Sequence, residues 1–173
     1  ADRLGLDQAQ RATVYDVNLL TYVGCPVYGN ESSAVFGDDI ALRAGSYDVD
    51  LASFPAMVFM LRRAGSSGTV FHRVANTVTF MATGGRTVVE QMANHCSAAG
   101  VLAQRLGLGP DVQAGIEQSY ARWDGKGVPD GLSGDDLSLS ARISHLSDAC
   151  EVLLRTGGID HAKEVVASRR GTH

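Results

Sequence analysis

Apolar residues recur at helical spacing along most of the chain, and this periodicity predicts an all-α fold. Leu19, Leu20 and Val23 follow earlier apolar positions on one face of a first helix. Further helices are expected over 33–44, 51–64, 70–82, 86–106, 110–122, 138–156 and 159–169. Residues 70–82 contain many β-branched side chains, so a strand stays open there, although the period favours a helix.

Short polar and conformational signals indicate where the helices begin and end. Asp7 is an expected N-cap residue, with Gln10 in the capping-box position three residues later. Pro55 and Pro110 each stand where a first helical turn tolerates the missing N–H group. Residues 3–7 and 105–109 share an Arg-Leu-Gly-Leu string, which is interpreted as two helix ends terminated by glycine rather than as a duplication.

Residues 123–137 form the least regular stretch of the chain. They contain four glycines and one proline, which exclude a helix. Trp123, Val128, Leu132 and Leu137 are spaced as apolar anchors, so we expect an ordered glycine-rich loop packed on the core.

Composition places the chain among globular proteins, because 45% of its 173 residues are hydrophobic and 20% are charged. We expect one domain over 1–173 that is a fragment of a longer protein. A formal net charge of -4 argues against a broad nucleic-acid surface. Cys25, Cys96 and Cys150 do not form a disulfide or zinc pattern. With no apparent membrane span or signal peptide, we expect a cytoplasmic protein.

The loop also carries a family resemblance. Residues 121–132 read ARWDGKGVPDGL, which resembles the HD-GYP signature Glu-Arg-Trp-Asp-Gly-x-Gly-Tyr-Pro-x-Gly-Leu. Residues 134–143, GDDLSLSARI, are similar to the family's Gly-Glu-x-Ile-Pro-Leu-x-Ala-Arg-Ile. The likeness is absent over 26–85. The resemblance implies an HD-domain helical bundle with a divergent insertion at 26–85.

The resemblance also implies a metal-dependent phosphodiesterase site, but most of its ligands are replaced. The string Leu-Leu-His-Asp-Ile-Gly-Lys corresponds to 19–25, so Thr21 and Tyr22 take the places of the His-Asp pair. The family's paired histidines correspond to Ser119 and Tyr120.

His95 and Asp148 remain as matching ligands, and two are too few for a binuclear centre. The residues that could supplement them are His72, Glu90 and His145. The pocket is therefore expected to be degenerate, without a resident cofactor. The alternative is a divalent iron, manganese or zinc ion.

The loop itself allows two interpretations. Its glycines let backbone N–H groups approach a ligand, and Arg122 and Lys126 lie near them, a combination that suits phosphate. Alternatively, Arg122 and Trp123 pack within the loop and Asp124 caps a turn. With Arg142, Tyr22 and Tyr120, and with Tyr28 as a further lining residue, these side chains are the candidate site for an anionic ligand such as a cyclic dinucleotide.

Three hypotheses of function follow. The first is a degenerate HD-GYP-like regulatory or sensory domain in signalling, without phosphodiesterase activity, that binds a nucleotide-like ligand or a partner, with a fused DNA-binding or signalling module elsewhere. The second is a phosphohydrolase with an atypical metal site. The third is a helical interaction or homodimerisation domain, in which the apolar segment 54–61 is either core, as favoured, or a partner surface.

Overall fold

The computed structural model describes residues 2–23, 39–50, 53–63 and 86–172, together with a few helical positions between 71 and 82. Cys25, Tyr28 and His72, which were named above from the sequence, lie outside the described residues. Within the described residues the fold is all-α, as predicted, with 3-10 turns at Asp2–Leu4 and Gly134–Asp136. The α-helices are α1 (Gln8–Leu20), α2 (Asp39–Ser46), α3 (Phe54–Arg63), α4 (Arg86–Arg105), α5 (Pro110–Glu117) and α6 (Leu139–Ser168).

Helix α1 begins with the capping box that the sequence predicts. The Gln10 amide donates to Oδ1 of Asp7 at 2.8 Å, and the Asp7 amide donates to the Gln10 side chain at 3.1 Å. These two bonds satisfy N–H groups that the first turn would otherwise leave without partners. Helix α1 is therefore fixed at its first turn, and it ends at Leu20, just before Thr21 and Tyr22.

Four helices form the core around Val17 and Ile116, with α1 in contact with α5 and α6, and α5 in contact with α4 and α6. Burial of a side chain such as Ile116 stabilises the fold by roughly 1.5–3 kcal/mol. Helices α1 and α6 pack closely against α5 at Gly115, where an added Cβ would lie 2.6 Å from Cγ2 of Val17 and 2.7 Å from Oγ of Ser140.

Helix α6 confirms two predicted helices and the break between them. Its thirty residues are interrupted at Gly158, whose backbone angles are φ 80° and ψ -177°. A glycine accepts this positive φ without the Cβ clash that other residues meet. The two parts of α6 therefore follow different directions, and the second part carries His161 and Arg169.

Several boundaries differ from the prediction. Helix α5 ends at Glu117 rather than at residue 122, because the chain turns there to enter the glycine-rich loop. The prediction that 54–61 is core holds for Ala56, which is buried, whereas Phe54 and Met57 are exposed. The predicted glycine-terminated helix ends are confirmed, since Gly5 and Gly107 both have positive φ.

Candidate functional site

The glycine-rich loop is held by close backbone contacts. Val128 donates its amide to the carbonyl of Tyr120 at 2.9 Å, which closes the loop at its neck. Gly127 lies against this neck, where an added Cβ would be 2.5 Å from Tyr120 O and from the Arg122 nitrogen. Leu137 is buried at the far end of the loop. The loop is therefore ordered, as expected, and glycine at 127 is required by the close approach of backbone.

Arg122 lies buried between two carboxylates. Its Nη1 is 2.6 Å from Oδ1 of Asp50, and its Nε and Nη2 bond both oxygens of Asp124 at 2.9 Å. The side chain is 7% exposed. The hydrogen bonds with Asp124 raise the pKa of Arg122, and the same contact lowers the pKa of Asp124 to about 2. This geometry favours the interpretation in which Arg122 packs and bonds within the protein.

The remaining cations of the loop region differ in their surroundings. Lys126 is 68% exposed, and its Nζ lies 3.8 Å from Asp124. Arg142 stacks over the Trp123 ring at 5.7 Å, and its Nη1 bonds Asp135 at 3.0 Å. Within the part of the chain that the structure describes, Nε of Arg142 is a buried donor with no hydrogen-bond partner. Of the guanidinium nitrogens of Arg142, Nη1 is therefore engaged by Asp135, whereas the buried Nε has no acceptor among the described residues.

Asp148 belongs to a cluster with two tyrosines. Tyr47, which follows α2, donates its hydroxyl to Oδ2 of Asp148. Burial raises the pKa of Tyr22 and of Tyr47, and hydrogen bonding of each hydroxyl with Asp148 raises both further. Both hydroxyls therefore stay protonated at neutral pH, and the Tyr47 hydroxyl donates to the Asp148 carboxylate. The structure thus brings together Tyr22 and Asp148, as the sequence analysis implied.

Two histidines lie near this cluster, and Nε2 of each bonds a backbone carbonyl. His95, 4% exposed, bonds through Nε2 to the carbonyl of Thr21, and its ring meets the edge of Tyr120 at 5.5 Å. His145 bonds through Nε2 to the carbonyl of Gln118 at 2.9 Å, and burial lowers its pKa. A neutral imidazole can donate one N–H to a carbonyl in this way. Both contacts hold helices together.

The metal ions that the resemblance implies need several side chains that converge. Across the described ranges, no group of three or more His, Cys, Asp or Glu side chains could hold a metal ion. Nε2 of His95 faces a carbonyl and Asp148 faces hydroxyls, while Glu90 is exposed. The described donors do not fit a binuclear centre.

Three residues of this region were not predicted from the sequence: Tyr47, Asp50 and Arg169. Arg169 donates through Nη2 to the carbonyl of Tyr47 and lies 3.4 Å from that of Val49. Tyr47 and Asp50 lie in the segment without a counterpart in the resemblance. The signal that could have found them is the acidic Tyr-Asp-Val-Asp string at 47–50, directly after a helix.

Comparisons with known proteins extend beyond the loop. Residues 85–165 match the family model described as HD domain. The chain is 30% identical over 90 residues to a probable cyclic di-GMP phosphodiesterase of Vibrio cholerae serotype O1. The aligned region covers 49% of this chain and 18% of that protein. It also resembles the crystal structure of a cyclic GMP-AMP-specific phosphodiesterase of V. cholerae, with a TM-score of 0.52 and 20% identity.

The structural match covers 92% of this chain and 40% of the solved one, and at this identity it supports the fold alone. The chain spans less than half the length of each of these relatives.

None of the helices in the described ranges combines the length and apolar character that crossing a bilayer requires.

Proposed function

We propose that this chain, a member of the HD-domain superfamily over residues 85–165, is a regulatory module. It binds a phosphate-containing ligand of the cyclic dinucleotide class. The chain is related to cyclic dinucleotide phosphodiesterases. The ligand class comes from the names of those relatives. The proposal that binding occurs without hydrolysis rests on this chain's own residues.

The observation that carries the proposal is the engagement of Asp148. In the family resemblance this carboxylate is a metal ligand, whereas here it accepts a hydrogen bond from the Tyr47 hydroxyl. Tyr22 stands where the resemblance has an Asp, so a carboxylate ligand is replaced by a phenol whose pKa burial and the nearby Asp148 raise. A carboxylate that already has donors gains less from a cation, and the proposed role of the pocket is recognition of the ligand.

Isothermal titration calorimetry with cyclic di-GMP and cyclic GMP-AMP tests this proposal. We expect binding without added metal, and no loss of ligand over hours when Mn²⁺ is supplied. Arg142→Met should weaken binding, since it removes a partly exposed cation that lies over Trp123 beside the glycine-rich loop. Arg155→Met is the matched control, because Arg155 is exposed and pairs with Glu151. No heat at millimolar concentrations of either dinucleotide would contradict the proposal.

The second candidate is a metal-dependent phosphodiesterase with an atypical site, and the relatives favour it over a module without activity. Both proteins named above are phosphodiesterases. The implied cofactor is iron, manganese or zinc. Elemental analysis of protein purified without chelator distinguishes the two candidates. Stoichiometric metal, with hydrolysis that Asp148→Asn abolishes, would establish the enzyme and overturn the first proposal.

The expected assembly and surroundings also remain proposals. They comprise a single domain over 1–173, a homodimer, a fused DNA-binding or signalling module, and a cytoplasmic location. Sedimentation equilibrium of the 173-residue chain tests self-association: a single species at monomer mass would contradict the homodimer.

A further inference from the structure

Residues 47–50, here called the closing segment, each contact a residue in the C-terminal half of the chain. Tyr47 bonds Asp148 through its hydroxyl and Arg169 through its carbonyl. Asp48 lies 2.8 Å from Nε2 of His161, the Val49 carbonyl is 3.4 Å from Arg169, and Asp50 is 2.6 Å from Arg122. Four consecutive residues therefore contact α6, its C-terminal end or the glycine-rich loop.

Asp48 contacts the protonatable ring of His161, and Asp50 contacts the guanidinium of Arg122. Arg122, His161 and Arg169 come from two distant parts of the chain and meet around Asp48 and Asp50. Arg169 is partly buried, which lowers its pKa, and Asp50, Arg122 and Asp48 also act on its charge. Two guanidinium groups close together repel one another, so they need anions between them. The closing segment supplies those anions.

We infer that Arg122, Arg169 and His161 form a site for phosphate groups, which Asp48 and Asp50 of the closing segment occupy as internal competitors. Guanidinium groups bind carboxylate and phosphate with similar geometry, so a phosphate can replace the carboxylates. Departure of the segment also removes the Tyr47 hydroxyl from Asp148. Phosphate binding and exposure of the Asp148 pocket are thereby coupled.

Two features indicate that the segment can be displaced. Its local support consists of two short turns: the amides of Tyr47 and Asp48 bond the carbonyls of Ala44 and Gly45 at 3.3 and 3.2 Å, and the Ser53 amide bonds the Asp50 carbonyl at 2.8 Å. The Asp48 and Asp50 side chains are 46% and 40% exposed and His161 is 36% exposed, so the ion pairs of the closing segment lie at the surface, where they are screened by solvent. Arg122 keeps Asp124 when Asp50 leaves, and it is not left as an uncompensated buried charge.

Inorganic pyrophosphate is the probe, because it carries two phosphate groups and no base. We expect D48N/D50N to bind it about fivefold or more tightly than the wild type, since two competing carboxylates are removed. The double variant D111N/E151Q, which removes two exposed carboxylates elsewhere, should bind like the wild type. R169Q should bind more weakly. If D48N/D50N does not fold, D48N alone replaces it, with an increase in the same direction.

Hydrogen exchange separates displacement from simple charge attraction. Saturating pyrophosphate should accelerate amide exchange at 47–50 in the wild type while α1 and α5 are unchanged. Equal effects of D48N/D50N and D111N/E151Q, no pyrophosphate binding, or binding without faster exchange at 47–50 would each overturn the inference.

The inference deepens the proposed function and rests on it only for the identity of the ligand. If pyrophosphate displaces the segment but cyclic dinucleotides do not bind, the inference stands and the proposed function fails. If cyclic dinucleotides bind without affecting exchange at 47–50, the proposed function stands and the inference fails.

Discussion

The guanidinium of Arg122 and the ammonium of Lys126 come from the same loop but have different physical roles. Arg122 is enclosed by Asp50 and Asp124, whereas Lys126 extends into solvent. Removal of one member of a buried pair leaves an unpaired charge, while an exposed pair contributes little. The two cations of one motif thus provide a matched comparison at the scale of the residue.

Arg122→Ala is expected to lower the free energy of unfolding by about 2 kcal/mol, because Asp124 loses both of its guanidinium bonds. Lys126→Ala should change it by less than about 0.5 kcal/mol. Urea denaturation followed by circular dichroism at pH 7 measures both values. Equal effects of the two substitutions would contradict the structural role of Arg122.

Asp124 predicts an acid-dependent loss of stability. Its pKa is lowered from 3.8 to about 2 in the folded protein, mainly by the hydrogen bonds with Arg122. A carboxyl group with a lowered folded-state pKa stabilises the protein fully above its unfolded-state pKa, and the contribution disappears as the pH falls through the folded-state value. We expect about 1 kcal/mol to be lost between pH 5 and pH 2, after allowance for solvent screening.

Unfolding measurements on Asp124→Asn across the same pH range provide the comparison. The substituted amide does not titrate, so the variant should lack this part of the pH dependence. Parallel curves for the wild type and the variant would exclude Asp124 as the source.

The sequence predicted individual site residues only where a motif or a helix end marked them. Asp7 and Gln10 are marked by their spacing, and Trp123 lies in a string that family resemblance identifies. The two partners of Arg122 differ in their distance along the sequence. Asp124 is two positions away, whereas Asp50 is 72 positions away and belongs to no sequence pattern. Contacts between distant segments depend on tertiary packing, which no local signal encodes.

At the scale of the helix, the break in α6 is the feature that local chemistry explains best. Gly157 and Gly158 interrupt the helical period, and Gly158 adopts the positive φ. The end of α5 was harder to predict, since its apolar pattern continues past Glu117. There Gln118 is drawn into other bonds, with its carbonyl facing His145 and its side chain accepting from the Ser138 amide at 2.7 Å.

Gly158→Ala is expected to lower the free energy of unfolding by about 1–2 kcal/mol, because an L residue is strained at this φ. Gly100→Ala is the control within α4, where an added Cβ meets no atom within 4 Å. Alanine is the better helix former, so this control should be stabilising by about 0.5–1 kcal/mol. Thermal unfolding of both variants measures the difference. A stabilising effect of Gly158→Ala would contradict the positive φ at residue 158.

At the scale of the whole molecule, α1, α5 and α6 are held at short distance by one small residue. Val17 and Ser140 approach Gly115 from α1 and α6. The sequence predicted these three helices but not which of them would meet, because helical periodicity identifies an apolar face without naming its partner. The all-α class and the ordered loop were predictable, whereas the attachment of 47–50 was not.

Gly115→Ala should lower the free energy of unfolding by about 1–3 kcal/mol, since the methyl group overlaps side chains on two neighbouring helices. The combined variant Gly115→Ala with Val17→Ala should lose less stability than the sum of the two single variants, because removal of the Val17 methyl groups makes room for the alanine. Chemical denaturation of the single and double variants forms a cycle. A Gly115→Ala protein as stable as the wild type would show that the helices separate freely.

The direction change at Gly158 sets a geometric limit on the last part of the chain. A continuous helix of thirty residues would be about 45 Å long, whereas the interrupted one brings both His161 and Arg169 alongside 47–50. The number of residues between His161 and Arg169 therefore sets the distance and the angle between their side chains. One inserted residue between them would rotate Arg169 by about 100° about the helix axis and leave His161 in place. The two side chains could then no longer contact the closing segment together.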